Sequence, residues 1–150
     1  MKSNRKLCHF IYSSGNLAMP LHCYYSFGTH FFHYRISYTV SLAEFLPRKQ
    51  IRESSKFLKL INEKLLWGTF FWNAIKSELQ FCGQFEALNE ASSPYYQRMR
   101  DYLVQTAEDV AIGFETILLG QSDSTIELEK FIRFTLRHPN FSHKFTACGS

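Results

Sequence analysis

Phe32-His33-Tyr34-Arg35-Ile36-Ser37-Tyr38-Thr39-Val40-Ser41-Leu42 decides the fold class. Every even position is apolar or aromatic, and every odd position is polar. Successive side chains of a strand point to opposite faces, so the stretch predicts a strand with one buried face. Aromatic and β-branched residues suit that pleated surface. Upstream, Leu21–Phe27 is also rich in aromatics, and Gly28-Thr29 would turn it into a hairpin with the strand at 32–42.

Downstream the period changes. Ile51, Ser54, Leu58, Ile61 and Leu65 recur at three- and four-residue steps, one stripe of a helix. Pro47 fits its first turn and Gly68 its stop. From Glu78 to Ala87 the period returns to two, with Leu79, Phe81, Phe85 and Ala87 on one side. Thr69–Ile75 and Glu78–Leu88 therefore read as two strands joined by a tight turn at Lys76-Ser77. Trp67, Phe70 and Trp72 would bring large apolar area to that sheet.

Ser93 as N-cap and Pro94 at the first helical position open a long helix. Tyr96, Met99, Leu103, Thr106, Val110, Gly113 and Ile117 form its stripe, and Gly120 stops it after Leu119. A last helix opens at Ser124, with Glu127 three residues on as a capping box, and runs to about Arg137. The expected class is α+β: a small antiparallel sheet packed against helices. The expected organisation is a poorly defined N-terminal segment over 1–30, one domain over 31–137 and a flexible tail over 138–150. The strand at 32–42 is the expected free edge of the sheet.

At 150 residues, 45% hydrophobic and 20% charged, the chain has room for one domain with a real core. The net charge of +4 sits near the start. Lys2, Arg5, Lys6 and Arg35 are unopposed by any acid in residues 1–43, and the remainder is neutral. Four cations spread over 43 residues are a weak footprint for nucleic acid, so no nucleic-acid partner is expected. Without 18 consecutive apolar residues, no membrane span is expected either. The apolar run after Lys6 is six residues long, Leu7 to Tyr12, too short for a secretory signal. A cytoplasmic protein with a loosely held start of some 15 residues is expected.

Chemistry is sparse. Cys8, His9, His22, Cys23, His30 and His33 are six potential metal ligands, but only His30 and His33 have the paired spacing of structural zinc sites. Adjacent pairs such as Cys8-His9 would point to opposite faces of a strand. There is no GxSxG, GxGxxG or GxxxxGK[ST] motif, and the 7 glycines are scattered. Glu108-Asp109 would project about 100° apart on a helix, which suits a solvated face. No catalytic, cofactor-binding or metal-binding residue is assigned. Tyr95, Tyr96 and Tyr102 cannot share one helical stripe, and they are the candidate protein-binding residues, aromatics being enriched at interfaces.

The stretch Ile61-Asn62-Glu63-Lys64-Leu65-Leu66-Trp67-Gly68-Thr69-Phe70 resembles the YbjN family of small bacterial proteins, in which a helix ends in an Asn-containing turn before a strand. Ser93-Pro94, Ile117-Leu118-Leu119-Gly120 and Ser124-Thr125-Ile126-Glu127 extend the likeness over about residues 32–135. The chain departs from it at Phe71 and Trp72, where an acidic residue is usual, at Ile112, where a proline is usual, and in lacking a first helix within 1–30. The resemblance implies a fold like type III secretion chaperones, often dimeric. It also implies a cytoplasmic sensory-transduction regulator with no catalytic residues. A non-enzymatic protein-interaction module, with an unknown protein partner or a homodimer, is the leading expectation. A small metal-binding protein or metal-dependent enzyme using the N-terminal Cys/His set is the alternative.

Overall fold

The computed structural model describes residues 6–27, 31–41, 46–65, 68–86 and 94–134. In chain order its elements are β1 (Lys6–Tyr12), β2 (Leu21–Phe27), β3 (Phe31–Thr39), α1 (Arg48–Lys64), β4 (Thr69–Asn73), β5 (Glu78–Glu86), α2 (Pro94–Leu118) and α3 (Ser124–Phe134). The class is α+β, as the sequence predicts. One sheet holds all five strands in the order β1-β2-β3-β5-β4, and every neighbouring pair is antiparallel.

Alternation along β3 produces the expected buried face. Phe32, Tyr34, Ile36 and Tyr38 are each 3% exposed or less. Their register partners share that face: Leu21, Cys23 and Tyr25 from β2, and Leu79 and Phe81 from β5. The rings pack in series, Phe10 on Tyr25, Tyr25 on Phe32 and Phe70 on Phe81, with centroids 5.5, 5.3 and 4.1 Å apart. Each such side chain contributes about 1.5–3 kcal/mol when fully buried. The other face of the sheet carries the polar alternates of β3 and β5, with Leu7, Ile11, Phe31 and Phe71 exposed among them.

The strand at 32–42 is not an edge. β3 lies at the centre, between β2 and β5. After β3 the chain passes through α1, returns at the far edge as β4, and doubles back into the gap as β5. From Lys6 onward the chain is not loose either: Lys6–Tyr12 pairs with β2 over seven residues in unbroken register. That edge strand corrects the expectation of a loosely held, poorly defined start within 6–27. The turn at Gly28-Thr29 and the ends of the expected strands at Leu42 and Leu88 lie outside the described residues.

Local chemistry explains the other differences. β4 stops at Asn73, two residues early, because the Asn73 side chain accepts a hydrogen bond from the Lys76 backbone N–H and closes a four-residue turn. Ser77 takes a positive φ of 51° there, and Ile75 is 97% exposed. α1 ends at Leu65 in extended conformation, so Gly68 is not its stop. A Cβ on Gly68 would collide with the Tyr34 hydroxyl and sit 2.5 Å from Phe81 Cε1, so the residue is small to let strands close. Gly120 does terminate α2, at φ 73°. Its N–H donates to Ile117 and that of Gln121 to Thr116, a Schellman motif.

The α3 cap shifts by one residue. Asp123 Oδ1 accepts from the Ile126 N–H at 2.9 Å, whereas Ser124 Oγ donates to Glu53 of α1 at 3.0 Å. α2 is buried on more than its predicted stripe. Tyr102, Val104, Ala107, Ala111, Phe114 and Leu118 are buried with Met99, Leu103 and Val110. It lies over the sheet, where Trp72 meets Phe114 and the Tyr38 hydroxyl donates to Glu115 at 3.0 Å, and it packs against α1 and α3 as well. On α1 the buried residues are Ser54, Phe57, Leu58 and Ile61, and Ile51 is exposed.

Candidate functional site

An open antiparallel sheet has two edges, each with a row of backbone N–H and C=O groups that need partners. The two edges here are finished differently. On β4 the amide of Asn62, from the last turn of α1, acts as a substitute strand. Its Oδ1 accepts from the Phe70 N–H at 2.7 Å, and its Nδ2 donates to the Phe70 carbonyl at 2.8 Å. β4 is also only five residues long. One side chain thus guards the short edge.

β1 has no such guard among the described residues. It is seven residues long, unbulged against β2, and from Leu7 to Tyr12 it contains no Lys, Arg, Asp, Glu or Pro. Those are the devices that usually blunt an edge. On the outer face Leu7 and Ile11 are 79% and 56% exposed. Between them His9 stacks on Tyr24 at 4.4 Å and 4°, and Arg35 lies over the same Tyr24 ring at 4.7 Å.

On the inner face, Phe10 and Tyr12 form one wall of a groove of about 370 Å³, and Arg100, Asp101, Val104 and Gln105 of α2 form the other. The Arg100 guanidinium sits 5.4 Å from the Phe10 ring centroid. The Tyr12 phenol faces Glu108; partial burial, then the charge of that carboxylate, push the phenol pKa up. Glu108 is 4% exposed, and its Oε1 has no hydrogen-bond partner. A buried acid with an unused oxygen is costly in isolation. It is linked to the groove through Tyr12 and is itself buried from solvent.

The structure disperses the residues singled out from sequence. Tyr102 is 7% exposed and belongs to the core, so it cannot present a surface to a partner. Burial pushes its phenol pKa up. Tyr95 and Tyr96 lie in the first turn of α2, and their side chains fall outside the description. The Cys/His set is divided by the sheet. Cys23 is fully buried on the inner face, where burial lifts its thiol to about 12, and His9, His22 and His33 stand on the outer face. His30 lies outside the described residues. Among those described, no three His, Cys, Asp or Glu side chains gather in a way that could hold a metal ion. No helix among them is long and apolar enough to cross a membrane.

Sequence reasoning missed β1 and Glu108. The signal for β1 was present in its uncharged, β-prone run, but Cys8, Phe10 and Tyr12 alternate with Leu7, His9 and Ile11, which leaves almost no polar contrast. The solvated face expected at Glu108-Asp109 is corrected at Glu108, which is 4% exposed although a glutamate on a helix ordinarily faces water.

Compared with known proteins, the chain matches no family model, no curated protein and no solved structure.

Proposed function

We propose that this chain is a non-enzymatic protein-interaction module, a chaperone-like or sensory-transduction regulator of the YbjN kind, that captures an extended polypeptide segment on the open edge of β1. The observation that carries the reading is the contrast between the edges: Asn62 occupies one, and the six uncharged residues Leu7–Tyr12, with no guard among the described residues, border a groove of about 370 Å³ on the other. An added strand would satisfy the β1 backbone by main-chain hydrogen bonds, which are indifferent to sequence. Its alternate side chains would enter the groove of Phe10, Tyr12, Arg100 and Asp101, which supplies selectivity. The α+β architecture, a sheet with helices on one face, supports the YbjN resemblance, which implies that class of fold.

Photo-crosslinking tests this directly. Cys8 is exposed on β1, whereas Cys23 is buried with a thiol raised to about 12. A benzophenone maleimide on Cys8, in a Cys82→Ser/Cys148→Ser background because Cys82 is only half-buried, should crosslink in an extract of the native cells to a discrete polypeptide segment. Ile11→Lys should abolish the product. Failure to crosslink any polypeptide, or crosslinking unaffected by Ile11→Lys, would refute the edge as the site.

A further inference from the structure

We propose that His9 and His22 form a two-imidazole site for a divalent ion of the zinc and copper kind, spanning β1 and β2 on the outer face of the sheet. The site is independent of strand capture at the edge. Register places the pair there. His9 lies opposite Tyr24 and His22 opposite Ile11, so the two histidines are diagonal neighbours on one face of an antiparallel ladder. Their ring centroids are 5.8 Å apart and the rings are within 14° of parallel. His9 is exposed and His22 partly so, which leaves both open to an ion from solvent.

The separation fits one shared ion. With metal–nitrogen bonds of about 2.0–2.1 Å, two imidazoles on one ion have centroids about 5 Å apart at the tetrahedral angle and about 6.4 Å apart when opposite each other. The observed 5.8 Å lies between, so side-chain rotation alone can bring both nitrogens onto the ion. The pair is also held in place. His9 lies flat on Tyr24 at 4.4 Å and 4°, and Arg35, reaching from β3 on the other side, sits 4.7 Å over the same ring. The Tyr24 ring therefore stands between that cation and His9. Pairing of β1 with β2 over seven residues fixes the backbone beneath both ligands. Donors held on rigid elements lose little freedom on binding.

The donor set selects the ion. In the register, the outer-face neighbours of the pair are Leu7, Ile11, Tyr24, Ser26 and Ser37, which offer neither a carboxylate nor a thiol. Imidazole nitrogen suits zinc, copper and nickel, whereas calcium and magnesium require oxygen donors. Two protein donors, fewer than a closed structural site uses, leave the other positions to water. An ion bound there clips the edge strand β1 to β2.

The test is calorimetry with Zn2+ alone, on the full chain carrying His30→Gln/His138→Gln/His143→Gln/Cys148→Ser, so that ligands outside the described residues supply nothing. This parent should bind one equivalent and melt at a higher temperature with the metal than without it. His9→Gln and His22→Gln should each weaken binding by about 100-fold or more, the advantage of two tethered donors over one. His33→Gln, on the same face of β3, and Cys8→Ser, next in sequence but on the opposite face, should leave it unchanged. Electron paramagnetic resonance with Cu2+ should count two nitrogen donors in the parent and one in either single variant, and circular dichroism checks that each variant folds. No binding by the parent, binding that survives both substitutions, or loss on only one of them overturns the site.

Discussion

Asn62→Ala should destabilise the fold by releasing the guarded edge of the sheet. The substitution removes both hydrogen bonds to Phe70, at 2.7 and 2.8 Å. Each is worth about 0.5–1.5 kcal/mol net, so the pair is worth about 1–3 kcal/mol. Helix propensity acts the other way, because alanine is favoured over asparagine by at most about 0.7 kcal/mol. Asn62 is two residues from the helix end, where that gain is smallest. Hydrogen-bond loss therefore wins, and a net cost of about 0.5–2.5 kcal/mol is expected. Urea titration followed by circular dichroism should show a lower midpoint at unchanged slope. For a chain of this size the melting temperature should fall by about 2–4 °C per kcal/mol. Asn62→Asp should not rescue stability, because it sets a carboxylate oxygen against the Phe70 carbonyl. If Asn62→Ala is as stable as the wild type, Asn62 does not guard the β4 edge and the contrast between the two edges collapses.

Other outcomes follow from the same geometry. Gly68→Ala should cost about 1–3 kcal/mol in urea titration, the usual cost of overpacking, because its Cβ would meet Tyr34 and Phe81. Glu53 accepts hydrogen bonds from the Ser124 backbone and side chain, which hold its carboxyl below the usual 4.5. Its contribution is complete above that value and disappears as pH falls through the lowered one, so Glu53→Gln should lose less melting temperature between about pH 5 and pH 3 than the wild type. Burial, and then the hydrogen bond to Glu115, raise Tyr38 to about 12. That contribution is complete below the ordinary 10 and vanishes as pH rises toward 12, so Tyr38→Phe should flatten the alkaline limb of a stability profile. In a thiol-labelling time course read by peptide mass, Cys8 should react well before Cys23, and equal rates would contradict the burial of β2.

Much of the architecture is legible because strands and helices bury single faces. Phe32 to Tyr38 alternates cleanly, and Met99, Leu103, Val110 and Ile117 recur at helical steps, so both elements stand out from local pattern. Sheet order is not local. Nothing within Phe32–Leu42 tells whether its neighbours lie on one side or both, and the α1 crossover makes β3 central rather than an edge. A single buried stripe along α2 leaves Tyr102 as a spare aromatic. Packed between the sheet and two other helices, α2 buries most of its circumference. The candidate site was hidden for a related reason. An edge is defined by what does not pair with it, and the hydrogen bonds of Asn62 to Phe70 join residues eight apart through an amide that any turn asparagine could offer to solvent.

Residue-resolved amide hydrogen exchange of the full chain is the most direct measure of the open β1 edge. Spectra would be taken at low and high protein concentration, and again with any captured partner. Capture of a strand requires that the β1 amides facing away from β2 become protected on association, while β2 and β3 stay protected throughout. If those β1 amides exchange at the open-edge rate under every condition, no strand is added there and the proposed function falls.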